Sequence, residues 1–470
     1  MITLPDEFIV RNRRLLGEKE YNLFEAALQK TPPVSIRVNK RKNGSRFFGQ
    51  NIVPWEENAF YLEERPSFTF DPLFHAGTYY VQEASSMFLG QILEQYVKKP
   101  VRYLDLCAAP GGKSTQAIDI LSKDSLIICN EILRSRANIL TENVIKWGQP
   151  NCIVTNNNVS DFSYLHHYFD VILTDVPCSG EGMFRKDNGA ITEWSLANVN
   201  RCSSRQKEIL SSTWDLLRPG GLFIYSTCTY NTEENEDTII WLHENYGAEV
   251  LPVITKQSWG IKPALKGNFP VYRFMPHATK GEGFFIAVLQ KPDSESCTHR
   301  ETLISAALKK NKKKKNNGQR QTSDNGLYHY ISEADNFVFE NNEERSFAFP
   351  KVYANDLILL SDRLNLLHAG IPLTVSKGKD KVPEHALALS SYINRKNFPT
   401  VEIDISTAIS YLRRETITIP EGYPKGYLLV IFKDTPLGWI KNIGNRTNNL
   451  YPQEWRIRSS HSPENTEHFL

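Results

Sequence analysis

Between about residue 101 and residue 228, short apolar runs alternate with stretches of helical period. Val101–Cys107 (VRYLDLC), Leu126–Glu131 (LIICNE), Phe169–Asp175 (FDVILTD) and Gly221–Cys228 (GLFIYSTC) read as strands apolar on both faces, with Cys152–Asn156 a weaker one. Between them Leu133, Ala137, Leu140, Val144 and Trp147 recur at four-and-three spacing, which gives one apolar helix face, and Gly148 follows as a stop. Strand–helix alternation of this kind predicts a parallel α/β sheet. Arg218-Pro-Gly-Gly221 reads as a turn before the last strand. Asn231, with Glu234 three residues on, reads as a helix N-cap with its reciprocal partner.

The flanks differ. Residues 1–95 mix helical and extended signals without a clear period and are assigned to a small N-terminal domain, residues 96–292 to the α/β domain, residues 293–384 to a linker and small central domain, and residues 385–470 to a final domain. In the last, Gly426–Ile440 alternates like a hairpin broken at Asp434-Thr-Pro436, which predicts a β-rich module. Six of the seven residues Lys309–Lys315 are lysine, flanked by Asn, Gly, Gln and Ser, a composition that reads as a solvated linker or basic loop.

A chain of 470 residues with 40% hydrophobic side chains can bury roughly two to four domain cores. The formal charge of +2 supplies no global field for a polyanion, so such a site must come from local clustering. Residues 1–50 hold ten Lys/Arg against five Asp/Glu, which hints at a basic N-terminal surface, whereas residues 229–249 hold six acids and no Lys or Arg. Charged runs of either sign are usually solvated faces. The seven cysteines (107, 129, 152, 178, 202, 228 and 297) are odd in number and never form a C-x-x-C pair, which argues against disulfides and zinc and for a reducing, cytoplasmic setting. No apolar stretch has the length of a signal peptide or membrane span.

The run Asp105-Leu-Cys-Ala-Ala-Pro-Gly-Gly-Lys-Ser-Thr115 lies where a first strand turns into a first helix, the ligand end of open α/β sheets. A phosphate loop would need glycine where Cys107 stands. The two glycines instead allow close approach of backbone to a ligand, and the free N–H groups at the helix start favour a carboxylate such as that of methionine. Glu131, ending the second strand, is placed to accept hydrogen bonds from adenosine ribose hydroxyls. A generic dinucleotide fold is the plain alternative.

Two strands end near cysteines, in Thr174-Asp-Val-Pro-Cys-Ser-Gly180 and Ser226-Thr-Cys-Thr-Tyr230, so both thiols are directed to the ligand edge, beside Asp175. Lone cysteines are often inert. Here a chemical use suggests itself: a thiolate adding to carbon 6 of cytosine makes carbon 5 nucleophilic, and Asp175 against N3 and the exocyclic amine would favour the addition. The attacking thiol needs a lowered pKa, for which Lys113 or a sulfonium are candidates.

LDLCAAPGGKSTQ, the acid at Glu131, TDVPCSGEGMFRKD, STCTY and RFMPHATKGEGFF together resemble the Nol/Nop/Sun-type RNA cytosine-5 methyltransferases, in particular their bacterial ribosomal, RsmF-type branch. The likeness is close over about residues 70–292 and looser to the C-terminus. It implies a Rossmann-like S-adenosylmethionine-dependent domain, S-adenosylmethionine as cofactor without a metal, and RNA as partner, foremost 16S ribosomal RNA or the small ribosomal subunit. It implies Cys228 as nucleophile, Cys178 as the residue that assists release, and cofactor contacts from Cys107, Ala108, Ala109, Pro110, Gly111, Gly112, Lys113, Glu131 and Asp175. An adenine contact aligns with Asn158, where the family usually has an acid. Tyr80 and Gln82 (GTYYVQEASS) resemble an upstream motif beside the cofactor pocket, with core packing as their plain alternative. The last domain is similar to PUA-type RNA-binding modules, and the target base would have to be unpaired or flipped.

A DNA cytosine methyltransferase would make Cys178 the nucleophile and carry an accompanying Glu-Asn-Val motif. An amino-group enzyme would need Asp/Asn-Pro-Pro-aromatic where Asp175-Val-Pro-Cys178 stands. A transfer RNA substrate, a multi-site ribosomal RNA enzyme and a non-catalytic RNA-binding ribosome assembly factor are the remaining alternatives.

Overall fold

The computed structural model describes residues 2–42, 51–293, 299–315, 326–341 and 344–459. Cys297, the polar flank of the lysine run at 316–325, and the end of the final domain at 460–470 lie outside the described residues.

The central sheet has nine strands: β1 (Arg102–Asp105), β2 (Leu126–Asn130), β3 (Cys152–Thr155), β4 (Phe169–Asp175), β5 (Leu217–Thr227), β6 (Glu249–Leu251), β7 (Tyr272–Phe274), β8 (Phe284–Gln290) and β9 (Leu366–Ala369), in the order β6-β8-β5-β4-β1-β2-β3-β9, with β7 beside β8. β1 to β5 are mutually parallel, and the outer strands run antiparallel. Helices α1 (Gly112–Ile120), α2 (Arg134–Trp147), α3 (Leu196–Trp214) and α4 (Glu236–Tyr246) complete this layer. Alternate strand residues feed two cores: Tyr103, Ile127, Val154, Leu173 and Ile224 enter one, and Leu104, Ile128, Ile153, Ile172 and Phe223 the other. Burial on both faces is why these strands read as unbroken apolar runs.

Local differences from the sequence reading have simple causes. Arg218-Pro-Gly-Gly221 is not a turn before β5 but a bulge within it: Phe169 pairs Leu217 and Val171 pairs Leu222, with Gly220 at φ +65° absorbing the excess. Asn231 and Glu234 do bond reciprocally, at 2.7 and 2.9 Å, yet they close a turn ahead of α4, whose N-cap is Asn235. β9, from the segment read as a linker and central domain, extends the central sheet antiparallel to β3; four residues give too short a pattern to read.

Residues before the α/β domain form two helices (Asp6–Leu16 and Glu18–Leu28) and a small sheet of Val34–Val38, Ile52–Val53, Glu56–Leu62 and Tyr79–Val81. Arg13, Arg14, Lys19, Lys30, Lys40 and Arg41 are exposed, as a basic surface requires, while three other basic residues serve the structure. Arg37 is buried, bonding Gln82 at 2.8 Å, Asp119 at 2.6 Å and Thr115 at 2.6 Å. Lys42 caps the C-terminal carbonyls of α2 through Lys146 O, and Arg11 pairs with Glu233.

The lysine run also differs from the loop reading, for it ends a helix, His299–Lys315, whose Leu303, Ile304 and Ala307 pack on the core and whose Lys310 meets Asp362 at 2.6 Å. Lysine is a good helix former, and the apolar first half supplies the anchoring. A four-stranded antiparallel sheet (Phe337–Asn341, Arg345–Pro350, Ile371–Lys377 and Asp380–Pro383) precedes the final one (Thr400–Glu402, Gly426–Phe432, Thr435–Asn442 and Thr447–Asn449). The hairpin of the last sheet turns at Lys433–Asp434, both left-handed at φ +46° and +61°, one residue earlier than the Asp434-Thr-Pro436 break expected. Among the described residues no helix is long and apolar enough to cross a membrane.

Candidate active site

The strand order turns back on itself between β1 and β4, and the loops that follow these strands meet there. β1 ends at Asp105 and α1 begins at Gly112. Between them the chain is tied from outside: the carbonyls of Ala109 and Pro110 accept from Arg136 and Asn143, each at 2.8 Å, and the Ala108 N–H donates to the Asn130 carbonyl at 2.8 Å. Gly111 takes φ +112°, closed to most side chains. A β-carbon on Gly112 would come within 3.4 Å of Tyr80 and 3.5 Å of Gln82, so both residues back the loop at the helix start, while Gln82 also accepts from Arg37.

Under this loop lies a buried acceptor. The Asp105 carboxylate takes the Ser114 hydroxyl on Oδ2 at 2.7 Å, Oδ1 has no partner among the described residues, and burial, with Asp175 nearby, pushes the group up to about 7. Glu131 is likewise buried; its Oε1 accepts from the Leu133 N–H at 2.9 Å and its Oε2 lies 3.4 Å from Arg136. A glycine cradle, an orphaned buried acceptor and a carboxylate at the end of β2 suit a ligand with an amino-acid end and a ribose, as S-adenosylmethionine has. Cys107, half-buried with its thiol raised chiefly by burial, lines the loop. Asn158 is exposed and caps the short helix Val159–Phe162 in a reciprocal box with Asp161. The local Asn-x-x-Asp spacing is the sequence signal of that cap.

Across the sheet edge sit the thiols. Cys178 follows β4 and Cys228 directly follows β5, and their Sγ atoms are 3.3 Å apart. The contact and burial raise the Cys178 thiol well above its ordinary value. Lys113 Nζ meets Asp175 Oδ2 at 2.8 Å and lies 5.0 Å from the centre of the Phe284 ring. Burial opposes the Lys113 ammonium, but the Asp175 carboxylate outweighs it and raises the group above the usual lysine value. The other oxygen of Asp175 accepts from Ser226 at 2.7 Å. Lys113, Asp175, Cys178 and Cys228 thus converge, with the cofactor loop ending at Lys113.

The residues that hold this arrangement were not singled out from sequence. Glu181 Oε2 accepts the N–H groups of Tyr230 and Asn231 at 2.8 and 3.0 Å, and Gly182 N–H donates to the Cys228 carbonyl at 2.9 Å. Arg273 donates to the Tyr230 carbonyl at 2.8 Å while paired to Glu236. Glu234 and Glu236, part of the acidic run read as a solvated face, are 0% and 1% exposed. The sequence does contain Glu142-Asn-Val144, but on α2: Glu142 pairs with Lys146 and Asn143 holds the Pro110 carbonyl, so both side chains serve that helix and the cofactor loop.

Three family models match in order along the chain: the N-terminal domain of 16S rRNA methyltransferase RsmF at residues 4–84, 16S rRNA methyltransferase RsmB/F at 94–290, and the methyltransferase RsmF PUA domain at 398–457. The chain is 30% identical over 476 residues to ribosomal RNA small subunit methyltransferase F of Escherichia coli K12, covering 96% of each. It is 31% identical over 478 residues to the protein of that name from Shigella boydii, again covering 96% of each. Among solved structures it resembles a methyltransferase homologue from Pyrococcus horikoshii, at 27% identity and TM-score 0.51, over 61% of this chain and 100% of the other. The fold is shared with NSun6 of the same organism with SFG, at 20% identity and TM-score 0.53, over 62% and 99%. The fold is that of an S-adenosylmethionine-dependent methyltransferase carrying a PUA domain, and the chain belongs to the RsmF-type 16S rRNA methyltransferases.

Proposed function

We propose that this protein methylates carbon 5 of cytosine in 16S ribosomal RNA, in the cytoplasm, with Cys228 as covalent nucleophile and Cys178 as the residue that serves release. The observation that carries this reading is the 3.3 Å contact of the two thiols beside the Lys113–Asp175 pair, at the end of a glycine loop suited to S-adenosylmethionine. Pairs of thiols have little structural use where they are half-exposed and unbridged.

In this reading residues 107–113, Glu131, Asp175 and Asn158 hold the cofactor, whose sulfonium supplies an electrophilic methyl group. The Cys228 sulfur bonds to carbon 6 of the base, and the displaced electron pair makes carbon 5 nucleophilic toward that methyl. Lys113, fixed by Asp175, places a cation beside the nucleophile's thiolate. Asp175 orients and polarises the N3 edge of the ring. Once carbon 5 carries the methyl, its proton leaves with help from Cys178, the 5,6 double bond re-forms, and Cys228 departs as thiolate. The PUA domain and the N-terminal domain supply RNA contacts beyond the site, and the domain division at residues 95, 292 and 384 is part of the same reading.

The test is to incubate the protein with labelled S-adenosylmethionine and either naked 16S RNA, assembled small subunits or transfer RNA. Bisulfite sequencing then locates the methyl. The expected result is 5-methylcytosine in 16S RNA; label on an exocyclic amine, or in transfer RNA alone, would overturn it.

A further inference from the structure

Cys178 is gripped on both sides by two buried side chains that neither strand-end motif contains. The Ser179 N–H donates to Glu234 Oε2 at 3.0 Å, and Gln206 Nε2, from α3, donates to the Pro177 carbonyl at 3.0 Å. Gln206 Nε2 also donates to that same Glu234 oxygen at 2.8 Å, so the peptide groups before and after Cys178 are joined through one Glu–Gln pair. Glu234 Oε1 takes the Asn231 amide at 2.7 Å, and Gln206 Oε1 takes the Tyr225 hydroxyl at 3.0 Å. Glu234 and Gln206 are both 0% exposed.

Among the described residues the Glu234 carboxylate accepts from Ser179, Gln206 and Asn231, an arrangement that only an acceptor on both oxygens satisfies. The dependence of the two thiols on it is unequal. Cys228 directly follows a strand of the sheet and its loop is also held by Glu181, Gly182 and Arg273. Cys178 stands in an irregular loop, and its flanking peptide groups take their side-chain bonds from Glu234 and Gln206.

We propose that Glu234 and Gln206 are positioning residues for Cys178, setting its sulfur against Cys228 for the release half of the reaction. The inference rests on the assignment of Cys228 to attack and Cys178 to release. Bond formation by Cys228 needs little from the pair, whereas release needs Cys178 in place.

Glu234→Gln turns one oxygen into a donor facing donors, and Gln206→Met removes the tether of the Pro177 carbonyl at similar volume. With labelled RNA and S-adenosylmethionine in single turnover, each variant is expected to form the denaturation-resistant protein–RNA adduct at near the parent rate but to release methylated RNA about tenfold or more slowly, the scale of an ångström-sized misplacement. Either variant added to Cys178→Ala should slow release no further. Parallel loss of adduct formation and release in both variants, or normal release in both, overturns the proposal. Should one variant fail to fold, judged by its melting curve, the other carries the test. Run beside them, Cys228→Ala separates the two ideas: an adduct formed by Cys228→Ala and lost in Glu234→Gln would mean that the thiol roles are reversed, with the pair still positioning Cys178.

Discussion

The sulfur atoms of Cys178 and Cys228 lie 3.3 Å apart although 50 residues separate them in the chain. At that spacing one base can meet both thiols from a single bound pose, which a covalent addition followed by assisted elimination requires. Cys228→Ala is therefore expected to reduce methyl transfer to background. Cys178→Ala should leave RNA covalently attached, seen as a band of retarded mobility on a denaturing gel with labelled RNA. A retarded band from Cys228→Ala and none from Cys178→Ala would reverse the two roles.

Asp175 divides its oxygens between a charge and a hydroxyl, Lys113 at 2.8 Å and Ser226 at 2.7 Å. Asp175→Asn removes the charge that fixes Lys113 and is expected to slow single-turnover methyl transfer about a hundredfold, in the range of a lost acid–base or electrostatic group. Ser226→Ala keeps the charge and should cost about tenfold or less. Equal losses in the two variants would mean that Asp175 acts only through its place in the hydrogen-bond network.

Gly182 is where the loop after β4 crosses the loop after β5. A β-carbon there would fall 2.5 Å from the Gly283 carbonyl oxygen and 2.9 Å from that of Cys228, both backbone atoms with no rotamer to change. Gly182→Ala is expected to destabilise the fold by about 1–3 kcal/mol and to displace Cys228, abolishing most transfer. Gly180, at φ +73°, has open space around its β-carbon position, the nearest atom being Ala190 Cβ at 3.9 Å. Gly180→Ala should therefore cost only the left-handed backbone penalty of about 1–2 kcal/mol. Thermal melts and transfer assays of the pair separate the clash from the strain.

The sheet was legible because strands buried on both faces leave an unambiguous apolar run, and the cofactor loop and thiols because they stand at strand ends. What escaped the sequence depends on partners far along the chain. Glu234 looks like one of a run of exposed acids until Ser179, Gln206 and Asn231 are seen to face it. The lysines at 309–315 looked unstructured since the contacts that anchor their helix come from the apolar turns before them and from Asp362. β9 is four residues long and finds its place only against β3. Asn158 shows the opposite case, for its capping role is written in the local Asn-x-x-Asp spacing.

The junction of the N-terminal, methyltransferase and final domains contains a histidine whose titration should be visible in stability. His385 is buried with neither ring nitrogen partnered among the described residues, its ring 5.1 Å from that of Tyr451 and 5.2 Å from that of Trp455. Burial first, then the charges of Lys146, Lys42 and the neighbouring His75, lower its pKa to about 3. An unfolded histidine titrates near 6.5, so below that pH the unfolded chain binds a proton that the folded chain refuses. The stability contributed by a neutral His385 is thus present above pH 6.5 and is lost progressively as the pH falls toward about 3. The buried carboxyls of Asp105 and Asp119, raised to about 7 and about 6, slope the other way, but they are common to parent and variant and cancel in a difference. His385→Phe removes the titrating ring at similar shape. Between pH 7.5 and pH 5, denaturant unfolding should show the parent losing about 2 kcal/mol more than this variant, provided the transition is two-state. Parallel pH profiles for the two proteins would mean that His385 finds water or a partner in solution and accepts its proton without unfolding the junction.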